Sequence, residues 1–330
     1  MRCLLYIITA LLLSAYVVKA QVVISDINLE NYTYPFPVKY LSLSLEKNKY
    51  QMAYMDAQPE KPNGRAVVLL HGKNFNGAYW KRTADSLLTK GFRVIMPDQL
   101  GFGKSSKPAT FQYSFQQLAQ NTKALLDTLG ITQTIVLGHS MGGMLAVRFT
   151  LMYPETVTQL VLEDPIGLED YALKIPYQSV DQWYQRELKQ TYNSMKKYQK
   201  TNYYQNEWKP EYEPWLKMTA GWTNNIKYSL IAWCSALTYD MIMTQPVVYE
   251  LKHLNTPTLL IIGLNDKTAL GKELVSMEVQ QSMGNYAVLG KETAHKIKGS
   301  VLIELDNTGH LPHIQSFEKF ITPLLSFIQK

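Results

Sequence analysis

Residues 38–57 alternate apolar and polar side chains around Lys47-Asn48-Lys49. A period of two belongs to a strand with one buried face, so this stretch predicts an antiparallel hairpin. Beyond Pro62-Asn63-Gly64 the alternation gives way to short apolar, β-branched runs at 66–70, 93–96, 134–137, 160–162, 258–262 and 301–305, each followed within two residues by Gly or Asp. Runs that are apolar throughout are what strands covered on both faces look like. Between them, 80–89, 114–129 and 141–153 carry apolar residues three and four apart, and Gly91 and Gly130 stand where helix ends favour glycine. The alternation predicts the α/β class: an open, mostly parallel, doubly wound sheet with helices on both faces and an antiparallel hairpin at its N-terminal end.

The rhythm breaks once. Between Gly167 and His253 no strand pattern recurs, yet five of the six Trp and eleven of the 22 Tyr fall there. Helical periodicity over 180–199 and 226–243 predicts a helical insertion packed over the sheet. Most of its aromatics are expected to form its own small core, leaving the rest to line a pocket. The chain therefore divides into a leader (1–20), a first core part (21–167), the insertion (168–253) and a second core part (254–330).

Composition narrows the class. With 46% hydrophobic and 18% charged residues over 330 positions, the chain can bury a sizeable core. Its N-terminus has one early cation, Arg2, an apolar stretch over 3–18, and Val18 and Ala20 at the spacing of a signal-peptidase site. This predicts a secretory signal peptide over 1–20 and an exported, periplasmic or secreted protein, with an uncleaved anchor as the competing reading. After cleavage no stable membrane insertion is expected. Residues 21–330 hold 31 basic against 27 acidic residues, a net +4 with no dense Lys/Arg block, so nucleic acid is not an expected partner. Cys3 leaves with the leader, and the remaining Cys234 cannot form an internal disulfide. Asn31-Tyr32-Thr33 is a glycosylation sequon that matters only in a eukaryotic source.

The candidate chemistry centres on V-L-G-H-S-M-G-G at 136–143. Here a predicted strand turns into a predicted helix through G-x-S-x-G, which forces Ser140 into a strained backbone conformation above the carboxyl edge of the sheet. The helix N-terminus beside it favours developing negative charge. Four other loops close predicted strands: His71-Gly72-Lys73-Asn74, the run from Asp98 to Ser105, Gly263-Leu264-Asn265-Asp266, and Gly309-His310-Leu311-Pro312-His313. With the elbow, these motifs resemble the α/β-hydrolase family from about Val38 to the C-terminus, and the insertion falls where that family carries a lid.

The resemblance implies Ser140 as nucleophile, His310 as base and Asp266 as the acid that orients it. It also implies an oxyanion hole made by the backbone N–H groups of Met141 and Lys73. His313 is the alternative base, and Glu163 or Asp164 the alternative acid. His71 and His139 are expected to bond loop backbone, Asp98 to order its loop, and His253 and His295 to lie on the surface. The chain from Asp266 to His310 is longer than is usual in the family, and 271–298 is expected as surface loop or short helices bordering the site.

No metal is expected, since the histidines lack ligand spacing, and no organic cofactor, since Gly101-Phe102-Gly103 lacks a third glycine and a following helix. A serine nucleophile attacks an acyl carbon, which disfavours the dehalogenase and epoxide-hydrolase chemistry of relatives that use aspartate. The expected partner is a small-molecule ester or lactone of apolar to amphipathic character. Carbon–carbon hydrolysis of a diketone-like substrate, amide cleavage, and a non-catalytic ligand-binding fold are the rival readings.

Overall fold

The computed structural model describes residues 24–330, so the leader expected over 1–20 lies outside the described residues. Strands β1 (Val38–Leu45) and β2 (Asn48–Ala57) form the N-terminal antiparallel hairpin. Its turn is the residue pair Glu46 and Lys47, with φ of 49° and 65°, on the N-terminal side of the Lys47-Asn48-Lys49 centre that the sequence predicts. Two positive φ values give the mirror-image turn whose twist matches the flanking strands, and the Asn48 side chain donates to the Glu46 carbonyl beneath it.

The remaining strands are β3 (Ala66–Leu70), β4 (Arg93–Pro97), β5 (Thr134–His139), β6 (Val157–Glu163), β7 (Thr258–Gly263) and β8 (Val301–Leu305). Together they make one eight-stranded sheet in the order β1-β2-β4-β3-β5-β6-β7-β8. The β1–β2 and β2–β4 pairs are antiparallel and all others parallel. The chain leaves β3 for β4 on one side and returns to β5 on the other, so the carboxyl ends of β3 and β5 flank a topological switch point, where such sheets bind ligands.

Both faces are covered, which explains the continuous apolar runs. Val67, Leu69, Ile135, Leu137, Val161 and Leu259 pack with α1 (Lys81–Thr89) and the C-terminal helix, and their neighbours Val68, Val136, Leu160, Leu162 and Leu260 pack with α2 (Phe115–Thr128) and α3 (Met141–Met152). Among the parallel strands β8 is the exception: it is an edge of the sheet, and Val301 is exposed.

Between β6 and β7 come α4 (Val180–Glu187), α5 (Tyr192–Asn202), α6 (Glu213–Ala220) and α7 (Tyr228–Thr244). The single helical period over 180–199 resolves into two helices. Thr191 starts the second with a capping box, its hydroxyl accepting from the Ser194 amide while the Ser194 hydroxyl accepts from the Thr191 amide. Aromatic pairs hold this layer together: Trp183 stacks on Tyr239 with centroids 4.6 Å apart, and Tyr204 on Tyr212 at 3.7 Å.

The segment 271–298, expected as surface loop or short helices, contains α8 (Met277–Gln281) and the eleven-residue α9 (Tyr286–Lys296). Helix α9 is not surface ornament: Tyr286 and Thr293 are buried, and the Tyr286 hydroxyl donates to the Pro165 carbonyl. It supplies the crossover that the parallel β7–β8 pair requires. The chain ends in α10 (Pro312–Gln315) and α11 (Phe317–Ile328). No helix among the described residues is long and apolar enough to cross a membrane.

Candidate active site

Ser140 follows β5 at φ 57° and ψ −122°, a backbone conformation an L-residue keeps only when its surroundings impose it. They do so by crowding. A Cβ on Gly138 would lie 2.1 Å from the Gly142 carbonyl oxygen, and one on Gly142 would lie 2.2 Å from that of Leu70. The turn is then pinned from the next strand: Ser140 donates its amide to the Glu163 carbonyl, and its own carbonyl accepts from the Gly143 and Ile166 amides.

The hydroxyl so presented lies 2.9 Å from Nε2 of His310, and Nδ1 of His310 lies 2.6 Å from a carboxylate oxygen of Asp266. A carboxylate only accepts, so Nδ1 carries the proton and Nε2 is left to accept from the serine O–H. The second Asp266 oxygen accepts from the Thr268 amide at 2.7 Å. All three side chains are buried, with His310 1% and Asp266 2% exposed.

The imidazole is also held by its backbone. The His310 amide donates to the Tyr203 carbonyl at 3.1 Å, and the Tyr203 ring lies against the imidazole with centroids 4.7 Å apart. That carbonyl explains the glycine before the histidine, since a Cβ on Gly309 would stand 2.0 Å from it. On the other side the His310 carbonyl accepts from Nε2 of His139 at 2.7 Å, which fixes the proton on that nitrogen. Nδ1 of His139 then accepts from the Tyr79 hydroxyl at 3.0 Å, and that hydroxyl accepts from the Gly72 amide at 3.0 Å. A hydrogen-bonded chain thus runs from the His71-Gly72 loop to the backbone of His310. Burial and the neighbouring His310 and His313 hold the His139 imidazole well below the usual histidine range, so it is neutral here.

The rival residues are engaged elsewhere. His313 gives both its amide and its Nδ1 to one oxygen of Glu163, each at 2.8 Å. Asp164 accepts from the Gly263 amide at 2.8 Å, and burial, with the Asp266 charge beside it, pushes its carboxyl well above the ordinary range. Asp98 accepts from the Tyr34 hydroxyl and from the Gly77 and Lys104 amides. His71 accepts the Gln99 amide on Nε2 and bonds the Gly72 carbonyl through Nδ1. His253 and His295 are exposed.

Among the described residues neither the Met141 nor the Lys73 amide donates to a protein acceptor, and Gly72, the residue before Lys73, approaches so closely that a Cβ there would lie 3.1 Å from the Ser140 Cβ. Two further side chains at the site carry no sequence signal that separates them from their neighbours: Tyr203, one aromatic among many, whose hydroxyl accepts from Asn74 at 2.9 Å, and the side chain of Lys73, which reaches α7. No group of three or more His, Cys, Asp or Glu among the described residues is arranged to hold a metal ion.

Comparison with known proteins agrees with this architecture. The family model of the alpha/beta hydrolase fold matches residues 65–275. A solved structure of a probable hydrolytic enzyme from Pseudomonas aeruginosa is 50% identical, covers 94% of this chain and all of its own, and superposes with a TM-score of 0.93. Among curated proteins, Lipase 3 of Moraxella sp. is 37% identical over 112 residues, 34% of this chain and 35% of its own. A 2-hydroxy-6-oxo-6-phenylhexa-2,4-dienoate hydrolase of Burkholderia cepacia is 36% identical over 108 residues, 32% of this chain and 38% of its own. These curated matches thus span little more than a third of each relative. With an elbow serine at the carboxyl edge of an eight-stranded sheet and a family match over most of its length, the chain belongs to the alpha/beta hydrolase fold family.

Proposed function

We propose that this chain is an exported serine hydrolase that cleaves a small to medium, apolar or amphipathic carboxylic ester or lactone through an acyl-enzyme on Ser140. The observation that carries the reading is the unbroken path from a buried carboxylate through an imidazole to a strained serine hydroxyl, at 2.6 and 2.9 Å. His310 takes the hydroxyl proton as Ser140 attacks the acyl carbon, and Asp266 stabilises the imidazolium that forms. The amides of Met141 and Lys73 receive the oxyanion. His310 then returns its proton to the departing alcohol, and in the second half-reaction it deprotonates the water that releases the acid. The helices of 168–253 serve as the lid over this site. Export rests on the residue pattern of 1–20.

The test is hydrolysis of short p-nitrophenyl esters by the purified protein. Turnover above the uncatalysed rate that Ser140→Ala abolishes is the expected result, and turnover that survives that substitution overturns it. A second reading is favoured by the resemblance to the Burkholderia enzyme: carbon–carbon cleavage of a diketone-like substrate by the same three residues. Fast cleavage of a vinylogous diketone alongside feeble ester turnover would select it.

A further inference from the structure

Lys73 follows the glycine that packs on Ser140, and its side chain runs beneath the insertion into a cavity of about 50 Å³. Asn74, Phe102, Glu187, Trp222 and Ser235 share the walls. The ammonium donates to the Ser235 hydroxyl at 2.5 Å and sits 3.7 Å above the Tyr239 ring. An ammonium has three protons to place, and among the described residues no carboxylate lies within ion-pair distance of it. The facing titratable groups are Glu187 on α4, which acts on it only at longer range, and Tyr239 on α7. A half-buried cation without a contacting counter-charge, carried by the residue that follows the glycine lying against Ser140, is suited to meeting an anion. The cavity has room for a few waters' worth of atoms, which suits a compact head group and excludes a long alkyl chain.

We propose that Lys73 is a specificity-determining residue whose ammonium receives a second, anionic group of the substrate, so that the favoured substrates are esters or lactones bearing a free carboxylate. This deepens the acyl-hydrolase reading and rests on it. Burial lowers the Lys73 ammonium to about 8, so it is charged at neutral pH and loses that charge under mildly alkaline conditions.

The experiment compares matched ester pairs. For an anion on the acyl side, the p-nitrophenyl monoesters of glutaric and adipic acid are set against p-nitrophenyl pentanoate and hexanoate. For an anion on the alcohol side, 4-acetoxybenzoate is set against phenyl acetate. The readout is the ratio of kcat/KM within a pair, which cancels any pH dependence the two members share. The wild type is expected to prefer the anionic member of at least one pair tenfold or more, mainly through KM, with the preference shrinking from pH 7 to pH 9. Lys73→Met should reduce that ratio at least tenfold, and Lys73→Arg should retain more of it. No preference in any pair, or a ratio unchanged in Lys73→Met, overturns the proposal. If no ester is cleaved, the hydrolase reading falls and the anion site is judged by calorimetry with glutarate and adipate. Binding by Ser140→Ala that is lost on adding Lys73→Met sustains the site, and no binding overturns it.

Discussion

Replacing Asp266 by Asn and, separately, Asp164 by Asn should give opposite results, although both carboxyls are buried at neighbouring strand ends. Asp266 accepts two hydrogen bonds, from Nδ1 of His310 at 2.6 Å and from the Thr268 amide at 2.7 Å. Asn has one acceptor. If its oxygen keeps the Thr268 amide, its NH2 faces Nδ1 and forces the imidazole into the other tautomer, whose Nε2–H points at the serine oxygen and cannot take its proton. A wrong tautomer in such a triad costs about 10³–10⁴ in kcat, or about 4–5.5 kcal/mol at 1.36 kcal/mol per tenfold. Asp164 does not touch the imidazole, and its carboxyl is raised well above the ordinary range by burial. A raised folded value means a contribution to stability that is present below the unfolded value of about 3.9 and lost as pH climbs through the folded one. Asn, which is neutral at all pH and still accepts the Gly263 amide, escapes that loss. Asp164→Asn should therefore keep kcat within about threefold and melt no lower than the wild type at pH 7.5, its advantage vanishing toward pH 4. Ester kinetics and thermal melts on both variants decide the matter. A loss of orders of magnitude in Asp164→Asn with near-normal Asp266→Asn would refute the assignment of the acid.

Further outcomes follow from the same geometry. His139 is held neutral, so its contribution to stability is complete above about pH 6.5 and is lost as pH falls below that; buried His71 acts in the same sense and Asp164 in the opposite one. His139→Gln should accordingly melt lower than the wild type at pH 7.5 but lose less between pH 7 and pH 5, and an unchanged slope would count against a neutral His139. Gly142→Ala must fit a methyl 2.2 Å from the Leu70 oxygen, so a urea melt should show a loss of about 3 kcal/mol or more, at the top of the overpacking range. Tyr203→Ala, which strips the ring from His310, should lower kcat about tenfold or more and shift the acid limb of the pH–rate profile, whereas Tyr203→Phe, which keeps the ring and loses the hydroxyl's contacts, the Asn74 bond among them, should do neither. Equal effects of the two substitutions would assign the role to the hydroxyl instead.

What could be read from the chain alone was what is written locally. Strands covered on both faces announce themselves as apolar runs, and the glycines around Ser140 mark an elbow because neighbouring backbone occupies the places of their missing side chains. The break at Thr191 was legible in principle, since Thr191 and Ser194 form a capping box, but the apolar period of 180–199 runs across it. The resemblance pointed to Asp266 rather than Asp164, but the residues alone do not separate two carboxyls that both follow apolar strands; the bond from Nδ1 of His310 to Asp266 does. Tyr203 and the Lys73 side chain were beyond sequence reading for the same reason. Their partners lie more than a hundred residues away, on elements whose packing no spacing rule encodes.

The central claim is that the Ser140 hydroxyl is made nucleophilic by His310, and covalent labelling reads it most directly. Incubation with a fluorophosphonate, followed by peptide mass analysis, should find one phosphonyl group per chain, on the peptide carrying Ser140. The rate should fall at least a hundredfold in His310→Ala, and labelling should be absent in Ser140→Ala. Labelling at another residue, or a Ser140 rate indifferent to the loss of His310, would contradict the account.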